Sequence, residues 1–251
     1  MNENQFKNKK IIITGHTGFK GSWLTAWLTL LGAKIIGISS GIPSNPSHFK
    51  FLNLKRKIKH LIVDIRDARK LKKVFVKEKP DYVFHLAAQA IVRKSYLYPK
   101  LTFETNTIGT LNVLEAIKMI KKKCIAVLIT SDKVYKNLEI NRGYNENDIL
   151  GGYDAYSASK ASAELVIQSY IKCFFRSKKN NKFIAVARAG NVIGGGDWSE
   201  DRLIPDCVKS WSKKKPVKIR SPKSTRPWQH VLEALNGYLT LAIKLKNNSN
   251  F

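Results

Sequence analysis

Tyr156 and Lys160 stand four positions apart in Tyr156-Ser157-Ala158-Ser159-Lys160, within a segment, Tyr153 to Phe174, whose apolar spacing predicts a helix. Residues at that spacing share one helix face. A cation beside a phenol favours the phenolate, so the pair suits a base that takes a proton from a hydroxyl group. Alone, the pattern reads better as a surface tyrosine beside a surface lysine. A second constellation tips the balance: Thr14-Gly15-His16-Thr17-Gly18-Phe19-Lys20-Gly21 follows the apolar run Ile11-Ile12-Ile13 and opens another apolar stretch at Ser22. That order is strand, glycine turn, helix. Gly15, Gly18 and Gly21 allow a tight turn, close approach of a pyrophosphate and close packing of the helix on its sheet, while the helix N-terminus offers unpaired N–H groups to phosphate oxygens.

Elements able to position these groups recur along the chain. Strand-like runs at Lys10 to Thr14, Lys34 to Ser39, His60 to Asp64, Asp81 to Ala87, Ile125 to Ser131 and Phe183 to Ala189 alternate with helical patterns at Ser22 to Leu31, Asp67 to Lys77, Leu101 to Ile120 and Asp154 to Phe174. The alternation predicts an α/β fold, a doubly wound parallel sheet of Rossmann type with helices on both faces. Ligands of such sheets bind beyond the carboxyl ends of the strands. The polar candidates gather there: the glycines, Asp64-Ile65, Ala87-Ala88-Gln89 and Ser131-Asp132-Lys133. Asp64 would either accept from an adenine amino group or cap the helix starting near Asp67. Ala87 and Ala88 are small where a cofactor must pass, although small residues also serve ordinary packing. The second strand ends Gly37-Ile38-Ser39-Ser40, with neither the acid that binds a ribose 2′-hydroxyl nor an Arg for a 2′-phosphate, so it does not separate NAD from NADP.

From about residue 191 the pattern turns irregular. Gly194-Gly195-Gly196-Asp197-Trp198, a short helix from Arg202 to Lys213, a strand-like Pro216 to Arg220 and Thr225-Arg226-Pro227-Trp228 precede a last helix, Glu233 to Leu245. The division expected is a dinucleotide-binding domain over residues 1–190 and a partial substrate lobe over 191–251, interleaved with the core. Arg202 and Arg226 among turns suit a phosphorylated, ring-bearing substrate; spacing alone favours plain surface loops.

The chain has 251 residues, 43% of them hydrophobic, and a net charge of +27 from 45 Lys and Arg against 18 Asp and Glu. That excess is spread over many segments and dominated by Lys, which argues for a solvated surface and against a nucleic-acid partner. No run of eighteen apolar residues exists, so no membrane partner is expected, and the missing apolar signal core points to the cytoplasm. Cys124, Cys173 and Cys207 are far apart in apolar surroundings and read as reduced core residues. No metal motif appears. His85 and His230 read as buried, satisfied imidazoles.

Taken together, the glycine turn, Asp64-Ile65, Asn106 in Asn106-Thr107-Ile108-Gly109-Thr110 and Tyr156-x-x-x-Lys160 resemble the extended short-chain dehydrogenase/reductases, the NAD-dependent epimerase/dehydratase family acting on nucleotide sugars. More narrowly, four stretches resemble the CDP-glucose 4,6-dehydratase branch: Gly15 to Trp23, Thr130-Ser131-Asp132-Lys133-Val134-Tyr135, Arg188 to Trp198, and Thr225-Arg226-Pro227-Trp228-Gln229-His230-Val231.

The resemblance implies NAD as cofactor and a nucleotide sugar, CDP-glucose, as substrate. It assigns Gly15, Thr17, Gly18, Phe19, Gly21, Asp64, Ile65, Ala87, Ala88, Asn106, Tyr156 and Lys160 to the cofactor. Tyr156, helped by Lys160, would take the proton of the sugar 4-hydroxyl beside Ser131; Asp132 would protonate the departing 6-hydroxyl and Lys133 handle the C5 proton. As a base, Lys133 needs burial or a neighbouring cation such as Lys160 to lower its pKa. Gln89, Asn191, Arg202 and Arg226 would meet the substrate, and a homodimer would pack through the helices Leu101 to Ile120 and Asp154 to Phe174. Members of that family continue past the position matching Phe251, which implies an incomplete substrate lobe and leaves the activity of this length of chain open. An epimerase or reductase of the same family, or an inactive basic nucleotide-binding remnant, are the alternatives.

Overall fold

The computed structural model describes residues 3–176, 181–219 and 221–247. Strands β1 (Lys10–Thr14), β2 (Lys34–Ser39), β3 (Lys59–Ile62), β4 (Tyr82–His85), β5 (Cys124–Ile129) and β6 (Lys182–Ala187) form one parallel sheet in the order β3-β2-β1-β4-β5-β6. The helices are α1 (Phe19–Leu30), α2 (His48–Phe51), α3 (Ala68–Glu78), α4 (Val92–Leu97), α5 (Pro99–Phe103), α6 (Gly109–Lys118), α7 (Ala155–Tyr170), α8 (Leu203–Trp211) and α9 (Val231–Asn247).

The unbroken apolar reading of β1 follows from its central place, with both faces covered. Ile11 and Ile13 enter one core with Leu24 and Leu28 of α1 and Leu235 and Leu239 of α9. Ile12, between them, points the other way, into a core with Leu71 and Phe75 of α3, Val113 and Ile117 of α6, and Ile167 of α7. The period-two alternation of a strand thus divides three consecutive isoleucines between two layers. Helix α3 begins at Asp67, whose carboxylate accepts from the Lys70 N–H at 3.0 Å, and stops at Lys79 in the left-handed region at φ 47°.

Two expected helices contain irregular turns. The stretch predicted as Leu101 to Ile120 starts at Pro99, widens into a π turn over Glu104–Ile108 and resumes as α6. The stretch Asp154 to Phe174 runs as α7 and ends in a second π turn, Ile171–Phe175. Such turns are uncommon and gather at functional sites. Pro216 to Arg220 is not the strand its pattern suggested: residues 216–219 pair with nothing in a sheet, Pro216 lacking the N–H a ladder needs, and Arg220 lies outside the described residues. The strand here is β8 (Trp228–His230), which pairs in parallel with β7 (Asn191–Ile193). Beyond it α9 returns to pack on β5 and β6, so the chain after 191 is threaded through the core.

His85 is buried and satisfied, as expected, held by Thr14 Oγ1 at 2.7 Å and Thr110 Oγ1 at 3.0 Å. His230 is exposed, a correction, because β8 lies at the edge of a two-stranded sheet. Cys124 and Cys207 are buried, whereas Cys173, on the outer side of the π turn after α7, is exposed; none is bonded to another. Among the described residues no helix is long and apolar enough to cross a membrane, and no three metal-ligating side chains converge.

Candidate active site

The strand order turns back between β1 and β4, and there the carboxyl ends of the strands open into one cleft of about 1560 Å³. The glycine turn forms one wall. Gly15 adopts φ 74°, and a Cβ on it would stand 2.7 Å from the Ala87 nitrogen; one on Gly21 would stand 2.1 Å from the Gly15 carbonyl oxygen. Neither position admits a side chain. Gly18 is different, with only the Gly15 oxygen near, at 3.4 Å, so its outer surface is bare and faces the cleft. As the cap of α1 it supplies no side-chain acceptor, which leaves the first N–H groups of the helix free. Thr17 and Phe19 line the same wall, and the Thr17 hydroxyl donates to the Gly41 carbonyl at 2.6 Å.

At the far end, Asp64, Ile65, Ala87 and Ala88 all line the cleft. Asp64 does not cap the following helix, a task Asp67 performs; its carboxylate is clasped by Arg66, with Nη2 at 2.7 Å and Nε at 3.1 Å, and that hydrogen bonding holds the acid below its ordinary pKa. The Ile65 side chain packs under the cleft against Gly109, where a Cβ would meet it at 2.5 Å. Ser39 and Ser40, ending β2, also face the cleft.

The reacting end lies between β5 and α7. Asp154 caps α7 through the Ser157 N–H at 3.0 Å, and this fixes the turn carrying Tyr156 and Lys160. The two residues do share a face, and both line the cleft with Ser131, Asp132 and Lys133. The Ser131 hydroxyl donates to Asp132 at 2.9 Å and is poised to donate to the Tyr156 phenolate once that forms. Burial pushes the Tyr156 pKa up, against the Ser131 hydrogen bond and the Arg202 charge, which act to lower it. The cation that favours the phenolate here is therefore Arg202. Lys160 lies deeper, its ammonium donating to the Ile129 carbonyl at 3.4 Å; burial, then the charge of Lys20, bring its pKa down to about 8, while Glu164 acts the other way.

Four further expectations concern the rim. Gln89, Asn191 and Arg202 line the cleft, Arg202 within 3.4 Å of Asp197, and Arg226 stands exposed at the edge. Asn106, by contrast, is buried behind the wall. Its amide accepts from the Gln89 N–H at 2.8 Å and donates to the Gln89 carbonyl at 3.1 Å and the Ser159 hydroxyl at 2.9 Å. It ties the loop after β4 to α7, one residue before Lys160.

Sequence reasoning missed two participants. Glu164, one turn beyond Lys160, binds Arg188 and receives the Thr130 hydroxyl at 2.5 Å; its i,i+4 spacing from Lys160 was the available signal. Lys20, inside the glycine turn, lines the cleft and donates to the Tyr238 hydroxyl at 3.3 Å.

A family model described as GDP-mannose 4,6 dehydratase matches residues 12–249. The chain belongs to that family. It is 47% identical to the CDP-glucose 4,6-dehydratase of Salmonella typhimurium over 98% of this chain and 69% of that protein. The epimerase Mth375 of Methanothermobacter thermautotrophicus superposes with a TM-score of 0.84 at 26% identity, covering 96% of this chain and 70% of that one. The dTDP-glucose 4,6-dehydratase DesIV of Streptomyces venezuelae, solved with NAD and TYD bound, shares the fold at a TM-score of 0.79 and 24% identity, covering 93% and 72%. The chain thus spans about seven-tenths of the length of each.

Proposed function

We propose that this chain carries the catalytic core of an NAD-dependent nucleotide-sugar 4,6-dehydratase, a lyase of deoxysugar biosynthesis that converts CDP-glucose to CDP-4-keto-6-deoxyglucose. The observation that carries the reading is the convergence of Tyr156, Ser131 and Lys160 on the cleft that also holds the bare glycine turn. The likeness to the CDP-glucose enzyme of Salmonella typhimurium, at 47% identity, supports the substrate.

The residues fit a dinucleotide. Gly15 and Gly21 have no room for a Cβ, while Gly18 presents open backbone beside the uncapped start of α1, a cradle for a pyrophosphate. Thr17 and Phe19 flank that cradle; Asp64, Ile65, Ala87 and Ala88 would border the adenosine, with Ser39 and Ser40 near its ribose. Asn106 would act from behind, by holding the loop after β4. Bound NAD would supply the oxidation at the sugar's C4 and, once water is lost across C5 and C6, the hydride returned to C6, so that the ketone stays at C4 and no net oxidation remains.

The protein's own part is proton handling and orientation. Ser131 would hold the sugar O4 against the Tyr156 oxygen, which takes the 4-hydroxyl proton; the ketone so formed acidifies C5. Asp132, bonded to Ser131, would deliver a proton to the departing O6, and Lys133, half-buried in the same turn, would take the proton from C5. Lys160, deeper in the cleft, would hold the cofactor ribose. Gln89 and Asn191 would border the sugar, and Arg202 and Arg226 the diphosphate, with Arg226 free to pivot from the rim.

Residues 1–190 would thus serve the cofactor and 191–251 part of the substrate lobe. A homodimer through α5, the π turn after it, α6 and α7 is supported by the exposed Leu101, Ile108 and Leu165 on those segments. The test is to purify the chain, measure co-purified NAD, and assay CDP-glucose beside dTDP-glucose and GDP-mannose. The expected result is a 4-keto product from CDP-glucose, seen by its absorbance in alkali, without free NADH; NADH accumulating in step with substrate would overturn the dehydratase reading.

A further inference from the structure

The turn that carries Ser131, Asp132 and Lys133 is fastened at both ends to one buried ion pair. Ser131 follows β5, and Asp132–Val134 make a single 3-10 turn that ends at Tyr135. Before the turn, the Thr130 hydroxyl donates to Glu164 Oε1 of α7 at 2.5 Å. Glu164 also receives Arg188, the residue after β6, which donates from Nε at 2.8 Å and from Nη2 at 2.5 Å. After the turn, the Arg188 guanidinium lies over the Tyr135 ring, its carbon 4.6 Å from the ring centre. The same ring stacks on Tyr144 at 5.1 Å with 21° between the planes. Arg188 Nη1 is buried with no hydrogen-bond partner among the described residues, a cost to stability that points to another use.

We infer that Arg188, held by Glu164, is a positioning residue for the loss of water: through the Tyr135 ring it fixes the turn that presents Asp132 and Lys133 to the substrate. The inference rests on the reading of those two residues as the acid and base of elimination, in which C5 gives its proton to Lys133 and O6 leaves with a proton from Asp132. Ser131, Asp132 and Lys133 line the cleft, whereas Glu164, Arg188 and Tyr135 do not. The latter three act from behind the wall.

The backbone secures the entry to this turn better than its exit. The Thr130 N–H donates to the Ala187 carbonyl at 3.0 Å and the Asp132 N–H to the Ala189 carbonyl at 3.2 Å, both continuous with β6. Within the turn the bonds are long: Val134 N–H to the Ser131 carbonyl at 3.3 Å, Tyr135 N–H to the Asp132 carbonyl at 3.5 Å, and Lys133 N–H to Ser131 Oγ at 3.3 Å. Past it, Val134 and Lys136 bond only to Gly151 and Ile149, at the end of a largely exposed loop. The Tyr135 ring is where that exit meets the core. A buried ion pair adds little stability over well-packed apolar groups, whereas a displacement of about 1 Å near reacting groups can cost about 10²-fold in rate. Placement is what this pair supplies.

Two measurements on the full chain test this. Hydrogen exchange over residues 130–136, which needs no turnover, should quicken by about ten-fold in Tyr135→Leu and stay as in the parent in Tyr135→Phe, which keeps the ring. In stopped flow with CDP-glucose, the absorbance of bound NADH rises as C4 is oxidised and falls as the hydride returns to C6 after elimination. Tyr135→Leu should leave the rise within about two-fold of the parent and slow the fall by about 10–100-fold, so that bound NADH accumulates, while Tyr135→Phe matches the parent. The double variant Glu164→Leu/Arg188→Met separates placement from stability: it should regain most of the parent's unfolding free energy, yet keep the fast exchange and the slow fall. The inference is overturned if Tyr135→Leu exchanges as the parent does, if its rise and fall slow together, or if the double variant recovers elimination along with stability. A parent that shows neither NADH transient nor product sinks the dehydratase reading, and the exchange rates still decide whether Arg188 and Tyr135 hold the turn.

Discussion

The Glu164 carboxylate grips the Arg188 guanidinium with both oxygens, Nε at 2.8 Å and Nη2 at 2.5 Å, on the side of α7 turned to β6. Glu164 is 1% exposed. Removing either partner strands a buried charge, which costs about 3–5 kcal/mol. Glu164→Gln and Arg188→Met should each lower the unfolding free energy from urea titration by that measure, while the double apolar replacement recovers most of the loss. Single variants as stable as the parent would show that the pair is dispensable.

Tyr156→Phe removes the group read as proton acceptor while keeping the ring. The expected loss is about 10²–10⁴-fold in kcat with little change in KM, measured on CDP-glucose. Ser131→Ala, which takes away the hydroxyl shared with Asp132, should cost less than Tyr156→Phe. A Tyr156→Phe enzyme with full turnover removes the mechanism.

The glycines should part company. Gly21→Ala sets a methyl 2.1 Å from a carbonyl oxygen, so the turn itself must shift, and both Tm and NAD affinity should fall. Gly18→Ala meets nothing closer than 3.4 Å, so Tm should hold while calorimetry shows weaker NAD binding, the methyl standing where the pyrophosphate approaches. Equal affinity in Gly18→Ala and the parent would move the pyrophosphate elsewhere.

Buried histidines set an acid limit on stability. Burial lowers His85 from 6.5 to about 3 and His16 from 6.5 to about 4. Folded pKa values below the unfolded one mean that the unfolded chain binds protons first. The stability present above pH 6.5 is therefore lost as pH falls from there towards 4, at up to about 1.4 kcal/mol per pH unit for each histidine. Urea unfolding from pH 7 to pH 5 should show that slope, and His85→Gln should flatten it; an unchanged slope would place the acid sensitivity elsewhere.

The glycine turn and the strand ends were legible because their constraint is local: a φ of 74° at Gly15 or an apolar run in β1 is written in consecutive residues. Tyr156 and Lys160 were legible for the same reason, through i,i+4 spacing. Distant contacts were not. That Asn106 serves Gln89 and Ser159, and that Lys20 meets Tyr238 more than two hundred residues later, both depend on packing. The π turns at Glu104–Ile108 and Ile171–Phe175 escaped because apolar periodicity continues through them almost unchanged.

The junction of β8 and α9 has a mechanical consequence. His230 ends the short ribbon and Val231 begins the helix with no residue between them. The edge bearing Arg226 and the core contact bearing Tyr238 are thus successive parts of one stiff arm, fulcrumed on β5 and β6. A displacement of that edge would therefore be carried to the ring against which the Lys20 ammonium rests.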